Sequence, residues 1–375
     1  MTRPRSLLAH SFARARGATI RLGVAAGLAL LVVAGCGGSS DRGAAESRTE
    51  KRGASRPSVR VLATRLRVPW GLAFLPDGSA LVGERQTGRI LQLPPSGGEP
   101  RLVMRLAGVD PNAGEGGLLG LAVSPTYARD RFVYAYYTSP RDNRIVRFRL
   151  GGRVRPVLTG IGRSTYHDGG RIAFGPDGML YASTGDAGRR RNAQNLRSLN
   201  GKILRMRPNG AVPASNPFRR SLVYTLGHRN VEGLAWDRRG RLWATEFGED
   251  RRDEVNRIRP GRNYGWPVVE GRGPTFGGRY TNPVVTWRPA QASPSGAAIR
   301  GNTLYVAALR GMRLWRVPLR RVGVGRPSAL LVNRYGRLRT VVVAPDRSLW
   351  LTTSNRDGRG DPRPDDDRII RLQLA

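Results

Sequence analysis

Residues 74–82 read FLPDGSALV and residues 174–182 read FGPDGMLYA. Each stretch is an apolar strand, an Asp-Gly turn and a second strand with a β-branched or aromatic centre. More divergent copies lie at residues 132–134 (FVY), 241–243 (RLW), 303–305 (TLY) and 348–350 (SLW). A short unit that recurs six times predicts a repeat architecture.

A further strand follows each copy, and polar residues alternate there with apolar ones. This pattern predicts an outer, half-exposed strand. These strands lie at residues 89–93, 144–148, 202–206, 254–258, 313–317 and 368–372. The copies are 45 to 62 residues apart, the period of a four-stranded propeller blade. The sequence therefore predicts an all-β fold, a six-bladed β-propeller of four-stranded antiparallel blades over residues 58–375. Residues 59–62 are expected to pair with the blade that ends at Leu374 and so close the ring.

The N-terminus has the pattern of a processing signal. Five arginines precede an apolar run from Val24 to Gly35, which is too short for a membrane span of roughly 20 residues. Residues 33–36, VAGC, resemble a bacterial lipobox. We expect residues 1–36 to be a lipoprotein signal peptide, with Cys36 lipidated and the protein anchored to the outer face of the cell membrane. An ordinary signal peptide with a chance cysteine is the alternative.

Residues 37–57 consist of Gly, Ser, Ala and charged residues, which predicts a flexible tether. Cys36 is the only cysteine, so no intrachain disulfide or thiolate metal site can form. The net charge of +37 comes almost entirely from arginines spread along the chain, with lysines only at Lys51 and Lys202. Because the charge is not clustered, we expect no nucleic-acid partner. A compositional bias toward arginine explains the charge.

Three clusters carry candidate chemistry. His167 lies in a Gly-rich loop, and Asp186 follows 19 residues later. If a hairpin returns Asp186 to the same end of the blade, the carboxylate would orient the imidazole as a general base. The alternative is a surface histidine.

The second cluster combines carboxylates with Gly-rich loops at residues 227–230, 245–250, 253–254 and 263–267. Its oxygen atoms suit Ca²⁺, and solvated acidic loops are the alternative. The third cluster is Arg310 with Arg337 and Arg339, whose spacing of two places both side chains on one strand face. The pair would bind an anion with several carboxylates, although exposed arginines in an arginine-rich chain are the alternative.

Together these segments resemble the soluble quinoprotein sugar dehydrogenases, which use pyrroloquinoline quinone (PQQ). The resemblance runs from about Pro69 to Leu374. It is carried by the stretches PWGLAF (69–74), GGLLG (116–120), residues 167–186 and 194–206, GHRN (227–230) and NYGWP (263–267).

The resemblance implies PQQ- and Ca²⁺-dependent oxidation of aldoses at C1 to lactones, with electrons passed to a quinone, cytochrome or dye. It also implies residue roles. His167 would be the base and Asp186 its partner, while Arg229 and Asn230 would contact the quinone carbonyls. Further implied cofactor contacts are Glu115, Arg310, Arg337 and Arg339. The implied calcium ligands are the main-chain carbonyls of Gly248 and Glu249, and Glu254 with Tyr264 at a second site.

Four positions depart from the family pattern. Glu115 and Glu232 stand where Gln is usual, Glu249 replaces a frequent Pro, and Thr340 replaces an Asp. Two extra carboxylates near an anionic cofactor would weaken its binding unless calcium or arginine compensates. The alternative functions are a non-catalytic cell-surface propeller that binds glycan or protein, and a metal-dependent lactonase.

Overall fold

The computed structural model describes residues 57–374. This part of the chain forms six four-stranded antiparallel sheets arranged as a six-bladed β-propeller, which confirms the predicted fold class. Helical structure in it is limited to α1 (Tyr127–Asp130) and two 3₁₀ turns, Arg190–Gln194 and Pro289–Gln291. None of these helices has the length and apolar character needed to span a bilayer.

The strands follow one another in chain order. In each blade the first strand lies nearest the centre of the ring and the fourth strand lies at the outer edge. Blade 1 contains β2 (Pro69–Phe74), β3 (Ala80–Glu84), β4 (Arg89–Leu93) and β5 (Arg101–Arg105). Blade 2 contains β6 (Leu118–Val123), β7 (Val133–Thr138), β8 (Asn143–Phe148) and β9 (Arg155–Ile161). Blade 3 contains β10 (Ile172–Phe174), β11 (Leu180–Ser183), β12 (Lys202–Met206) and β13 (Val223–Leu226).

The second half repeats this arrangement. Blade 4 contains β14 (Val231–Trp236), β15 (Leu242–Glu246), β16 (Asp253–Ile258) and β17 (Val285–Trp287). Blade 5 contains β18 (Pro294–Arg300), β19 (Thr303–Ala308), β20 (Arg313–Pro318) and β21 (Ser328–Leu330). Blade 6 contains β22 (Leu338–Val343), β23 (Leu349–Thr353), β24 (Ile369–Gln373) and the N-terminal β1 (Ser58–Ala63).

The repeated sequence unit is the hairpin of a blade's first two strands. In blade 1, Asp77 Oδ1 accepts hydrogen bonds from both the amide and the hydroxyl of Ser79, at 2.9 and 2.6 Å. In blade 3, Asp177 Oδ1 accepts from the Met179 amide at 3.1 Å. The aspartate thus closes each turn on its own backbone, which explains why Asp precedes Gly at this point.

The strands predicted to be outer and half-exposed are the third of the four strands in each blade, so they are not the edge strands. β4, β8, β12, β16, β20 and β24 each pair on both sides, and β12 is buried along its whole length. The fourth strands form the outer edges. They include the largely exposed β5 and the three-residue β17 and β21, whose short or exposed sequences gave no recognisable signal.

Ring closure is confirmed. β1 pairs antiparallel with β24, with Val59 opposite Leu372 and Val61 opposite Ile370. Because β22, β23 and β24 come from the C-terminus, blade 6 joins the two ends of the described chain. The predicted signal peptide, the lipidation of Cys36 and nearly all of the tether fall on residues outside the described range.

Candidate functional site

A cavity of about 960 Å³ opens at one end of the propeller. Most of its wall comes from two kinds of loop: those that precede a blade's first strand and those that follow its second strand. Antiparallel pairing brings both kinds to the same end of every blade. Nine of the predicted site residues line this cavity: Glu115, His167, Asp186, Arg229, Gly248, Glu249, Arg310, Arg337 and Arg339.

His167 and Asp186 face each other across the hairpin of blade 3. His167 precedes β10 and Asp186 follows β11, and Nδ1 of the histidine lies 2.8 Å from Oδ1 of the aspartate. The imidazole is 14% exposed, whereas the carboxylate is 1% exposed. No residue from 57 to 374 hydrogen-bonds to Nε2 of His167, so this nitrogen is available to a ligand in the cavity.

The loop geometry here depends on Gly185. A Cβ atom at this position would lie 1.8 Å from the carbonyl oxygen of His167, a distance that no side chain can occupy. His167 itself adopts a left-handed backbone conformation with φ of 62°, which is uncommon for a residue other than glycine. This conformation costs of order 1 to 3 kcal/mol and persists only where the surroundings impose it.

The environment of Asp186 keeps its carboxylate ionised. Burial would raise the pKa of Asp186. The hydrogen bond and charge of His167, with N–H groups of Trp266 and Gly188 at 2.9 Å each, hold the pKa below its usual value. A carboxylate fixed in this way orients the histidine so that Nε2 faces the cavity, which is the arrangement that a general base requires.

Arg337 and Arg339 both line the cavity, but neither is free to act as an unpaired cation. Arg337 Nη2 lies 2.9 Å from Asp357 Oδ2, and Arg339 Nη1 lies 2.7 Å from Glu232 Oε2. Asp357 follows β23, and both arginines lower its pKa against the effect of burial. Sequence reasoning missed Asp357, although its position after a blade's second strand matches that of Asp186.

The extra carboxylates are compensated by arginines. Glu232 accepts from Arg339 and from the hydroxyl of Ser295, each at 2.7 Å. Glu115 forms an ion pair with Arg359 and accepts from the backbone amide of His167 at 3.1 Å. Their negative charges are therefore already offset within the protein.

Thr340 belongs to a polar network beneath the cavity. Its hydroxyl donates to the Trp70 carbonyl at 2.6 Å and accepts from Arg171 Nη2 at 3.0 Å. The Arg171 guanidinium also stacks over the Trp70 ring, 4.0 Å from its centroid. The hydroxyl thus takes up a hydrogen bond from Arg171, where an aspartate would add a charge.

Three cavity arginines have no carboxylate within 4 Å among residues 57–374: Arg85, Arg229 and Arg310. Nε of Arg85 and of Arg229 is buried without a hydrogen-bond partner. Sequence reasoning missed Arg85, which follows β3 directly and so occupies the same kind of loop as Asp186. These three positive charges give the cavity a preference for an anionic ligand.

The loop that carries Gly248 and Glu249 is held by two carboxylates, and Asp253 Oδ1 accepts from the Gly248 amide at 3.0 Å. Glu270 Oε1 accepts from the backbone amides of Glu249, Asp250, Arg251 and Arg252 at 2.8 to 3.1 Å. Burial would raise the pKa of Glu270, but these amides hold it below its usual value. Within the described range, no hydrogen bond reaches the carbonyl oxygen of Gly248 or of Glu249. Both oxygens are thus available as ligands for a hard cation.

Three predicted site residues lie outside the cavity lining. Asn230 is buried behind it and accepts from the Gly169 amide at 3.0 Å. Glu254 and Tyr264 line a separate pocket of about 10 Å³. Burial and neighbouring Glu246 raise the pKa of Glu254 to about 8. Between residues 57 and 374, no group of three or more His, Cys, Asp or Glu side chains is arranged to hold a metal ion.

His228 has a structural role. It is fully buried, its Nδ1 lies 2.8 Å from Glu246 Oε2, and its Nε2 lies 2.9 Å from the Thr225 hydroxyl. Both ring nitrogens are therefore satisfied inside the protein, and His167 is the histidine that faces the cavity.

The fold and the site define a class: a six-bladed propeller with a histidine–carboxylate pair at the wall of an arginine-rich funnel. Within that class, the chain belongs to the glucose/sorbosone dehydrogenase family, whose family model matches residues 66–370.

Individual relatives agree with this assignment. The PQQ-bound form of aldose sugar dehydrogenase from Streptomyces coelicolor is 49% identical, with a TM-score of 0.81 over 85% of this chain and 99% of that chain. Quinoprotein glucose dehydrogenase B of Acinetobacter calcoaceticus is 32% identical over 60% of this chain and 55% of its own length. Aldose sugar dehydrogenase of Escherichia coli is 28% identical over 80% of this chain and 91% of its own.

Proposed function

We propose that this protein is a PQQ- and Ca²⁺-dependent dehydrogenase that oxidises aldoses at C1 to lactones. The observation that carries the proposal is the His167–Asp186 pair at the wall of a cavity rich in arginines. Family membership and a PQQ-bound relative with 49% identity support the cofactor and the substrate class.

The cavity fits an anion with several carboxylates. PQQ carries three carboxylates, and Arg85, Arg229 and Arg310 are three cavity arginines without a carboxylate partner in the described structure. The buried, unpartnered Nε atoms of Arg85 and Arg229 are donors that such a ligand would satisfy. Arg337 and Arg339 would contribute donors while remaining paired to Asp357 and Glu232.

The donor set also fits calcium. Main-chain carbonyls and carboxylates supply hard oxygen ligands. The main-chain carbonyls of Gly248 and Glu249 lie at the cavity, on a loop whose backbone amides donate to Glu270. When bound, PQQ supplies the quinone that takes a hydride from the sugar, and Ca²⁺ polarises its carbonyl.

The protein's own contribution is a positioned base. Nδ1 of His167 is hydrogen-bonded to Asp186, so Nε2 takes the proton of the C1 hydroxyl as the C1–H hydride leaves and the C1=O bond forms. The imidazolium that results is stabilised by the ionised carboxylate of Asp186.

A reconstitution experiment tests the function. PQQ and Ca²⁺ are added to the purified protein, the spectrum of bound quinone is recorded, and dye reduction is measured with several aldoses. We expect a bound-quinone spectrum, dye reduction and loss of activity with a calcium chelator. A protein that binds PQQ but reduces no dye with any aldose contradicts the substrate class.

The His167→Ala variant separates cofactor binding from catalysis. It should retain the bound-quinone spectrum and lose about 10²- to 10⁴-fold in kcat, the usual contribution of a general base. Turnover at the wild-type rate would reject His167 as the base. Lactone hydrolysis without PQQ would instead select the lactonase, and glycan binding without PQQ binding would select the non-catalytic propeller.

We further propose that Cys36 is lipidated and that residues 37–57 tether the propeller to the outer face of a bacterial cell membrane. A tethered dehydrogenase can pass electrons to a membrane quinone or a cytochrome. The sequence VAGC at residues 33–36 supports this proposal. Mass spectrometry of the mature N-terminus tests it, and Cys36→Ser should release the protein from membranes.

A further inference from the structure

Arg85 is a buried arginine in the cavity wall to which the family resemblance assigns no role. It follows β3 directly, and the whole residue is 4% exposed. Its backbone is fixed on both sides: the amide donates to the Val68 carbonyl at 3.1 Å, and the carbonyl accepts from the Leu118 amide at 2.7 Å. The backbone that carries the guanidinium is thus fixed before any ligand binds.

This guanidinium has no anionic partner within the protein. Among residues 57–374, no carboxylate lies within 4 Å of it and no hydrogen bond to its side chain is formed. Glu115, Glu232 and Asp357 act on it only from a longer distance, and Arg339 repels it. Burial, with that repulsion, lowers the pKa of Arg85 to about 10. An uncompensated buried charge is strongly unfavourable for the folded protein.

Two other deeply buried arginines have partners within the protein. Arg171 donates to the Glu232 carbonyl and the Thr340 hydroxyl and stacks on Trp70. Arg339 is paired with Glu232. Arg85 alone among these three lacks both a counter-ion and a hydrogen-bond partner, and it lines the cavity.

We propose that Arg85 binds a carboxylate of the cofactor and is a principal determinant of cofactor affinity in this protein. The inference rests on the proposed function. A bound carboxylate would supply both the missing charge and the missing hydrogen bonds, which makes the contact a charge-assisted pair in a site shielded from water. Cofactor binding would therefore offset the energetic cost of the unpaired buried charge of Arg85 in the apo-protein.

The test measures PQQ affinity and apo-protein stability for Arg85→Met. Methionine keeps much of the apolar stem and removes the charge. We expect PQQ to bind about 10- to 100-fold more weakly, the range for hydrogen bonds to a charged group. The apo-variant should melt at or above the wild-type temperature, because an unpaired buried charge has been removed. A purely structural arginine would give a lower melting temperature.

Two further variants sharpen the result. Arg85→Lys keeps the charge and should lose less affinity than Arg85→Met. Arg334→Met removes the same charge from an exposed side chain outside the cavity lining and should bind PQQ as the wild type does. Wild-type affinity in Arg85→Met would overturn the inference and leave the proposed function standing. No PQQ binding by the wild type would overturn both.

Discussion

Both oxygens of the Asp186 carboxylate accept hydrogen bonds from N–H donors. Oδ1 faces His167 and the Gly188 amide, and Oδ2 faces the Trp266 indole. In Asp186→Asn, the amide nitrogen would oppose one of these donors, and the negative charge that stabilises the imidazolium would be lost. We expect kcat to fall about 10²- to 10⁴-fold with PQQ affinity nearly unchanged.

The measurement is kcat and its pH profile together with a PQQ titration. If Asp186 acts through His167, the pH dependence of kcat should change along with its magnitude. Equal losses in PQQ affinity and kcat would instead indicate that the substitution disrupts the cavity as a whole. His167→Ala is the matched reference, since the two substitutions together should cost little more than either one alone.

Asp168 gives a prediction about pH. Burial raises the pKa of Asp168 to about 6, since the hydrogen bonds from Asn143 and Ser164 offset only part of that effect, and Oδ2 has no partner. Between pH 4 and pH 6 the folded protein thus holds a proton that the unfolded chain has lost. The stability that this group contributes is present below pH 4 and is lost as the pH rises through 6.

The Asp168→Asn variant lacks this titration. Its free energy of unfolding relative to the wild type should therefore increase between pH 4 and pH 7, by on the order of 1 to 3 kcal/mol for a shift of about two pKa units. Urea unfolding at four or five pH values measures the difference. A difference between the two proteins that does not vary with pH would show that Asp168 is ionised throughout in the folded state.

Single residues also mark the limit of what the sequence could predict. The spacing of Arg337 and Arg339 predicted that both side chains lie on one strand face. It carried no information on Asp357 or Glu232, because these partners belong to other loops and to another blade. Arg85 was missed because one arginine among many carries no signal of its own. Its loop position, directly after a second strand, was the available signal.

At the scale of elements, Lys202 connects a strand to a functional loop. It begins β12, is fully buried, and donates from Nζ to the carbonyls of Asn192, Ala193 and Asn200 at 2.6 to 3.1 Å. Burial lowers its pKa to about 7. The first two carbonyls belong to the 3₁₀ turn Arg190–Gln194, whose Arg190 lines the cavity.

Removing this ammonium should destabilise the protein. In Lys202→Met three carbonyls lose the hydrogen bond from Nζ. Those of Asn192 and Ala193 keep a backbone donor, from Asn195 and Gly227, whereas that of Asn200 is left without one in the described part of the chain. We expect a loss of about 1 to 3 kcal/mol in the free energy of unfolding. Urea denaturation of the apo-protein measures it. Arg197→Met, an exposed change on the same loop, should have little effect. If Lys202→Met is as stable as the wild type, water must satisfy the carbonyls and the lysine does not hold the loop.

The position of a strand within its blade is harder to predict from the sequence than the number of blades. The third strands alternate polar and apolar residues, as an edge strand does, yet β12 is entirely buried because its polar side chains find partners inside the protein. Lys202 binds carbonyls and Arg205 pairs with Asp177. The alternation of polar and apolar residues predicts on which face of the sheet each side chain lies. It does not predict whether other parts of the protein cover that face.

At the scale of the whole molecule, six similar units determine the architecture. Each blade needs neighbours on both sides to bury its faces, so the number of repeats fixes the ring once the ends meet. The sequence showed six units and an unpaired N-terminal strand, and this was enough to predict closure. The cavity could not be predicted in the same way, because residues from all six blades meet only after the ring has closed.

Closure by β1 therefore bears on the stability of the entire ring. β1 pairs with β24 through residues 58–63 and buries Leu62 and Ala63 against a core that includes Leu91 and Trp350. A chain that starts at residue 64 loses this strand, exposes the edge of β24 and uncovers that core. We expect its melting temperature to fall by roughly 10 °C or more, given the loss of a buried leucine and of the five residue pairs between β1 and β24.

A chain that starts at residue 58 is the matched control, because it lacks the whole N-terminal segment but keeps β1. It should melt like the full-length protein, and it should keep PQQ affinity if the cavity depends on closure alone. Calorimetry on both truncations makes the comparison. Equal melting temperatures would mean that blade 6 is stable with three strands. In that case the ring is held by the packing of adjacent blades, and the strand contributed by the N-terminus is dispensable.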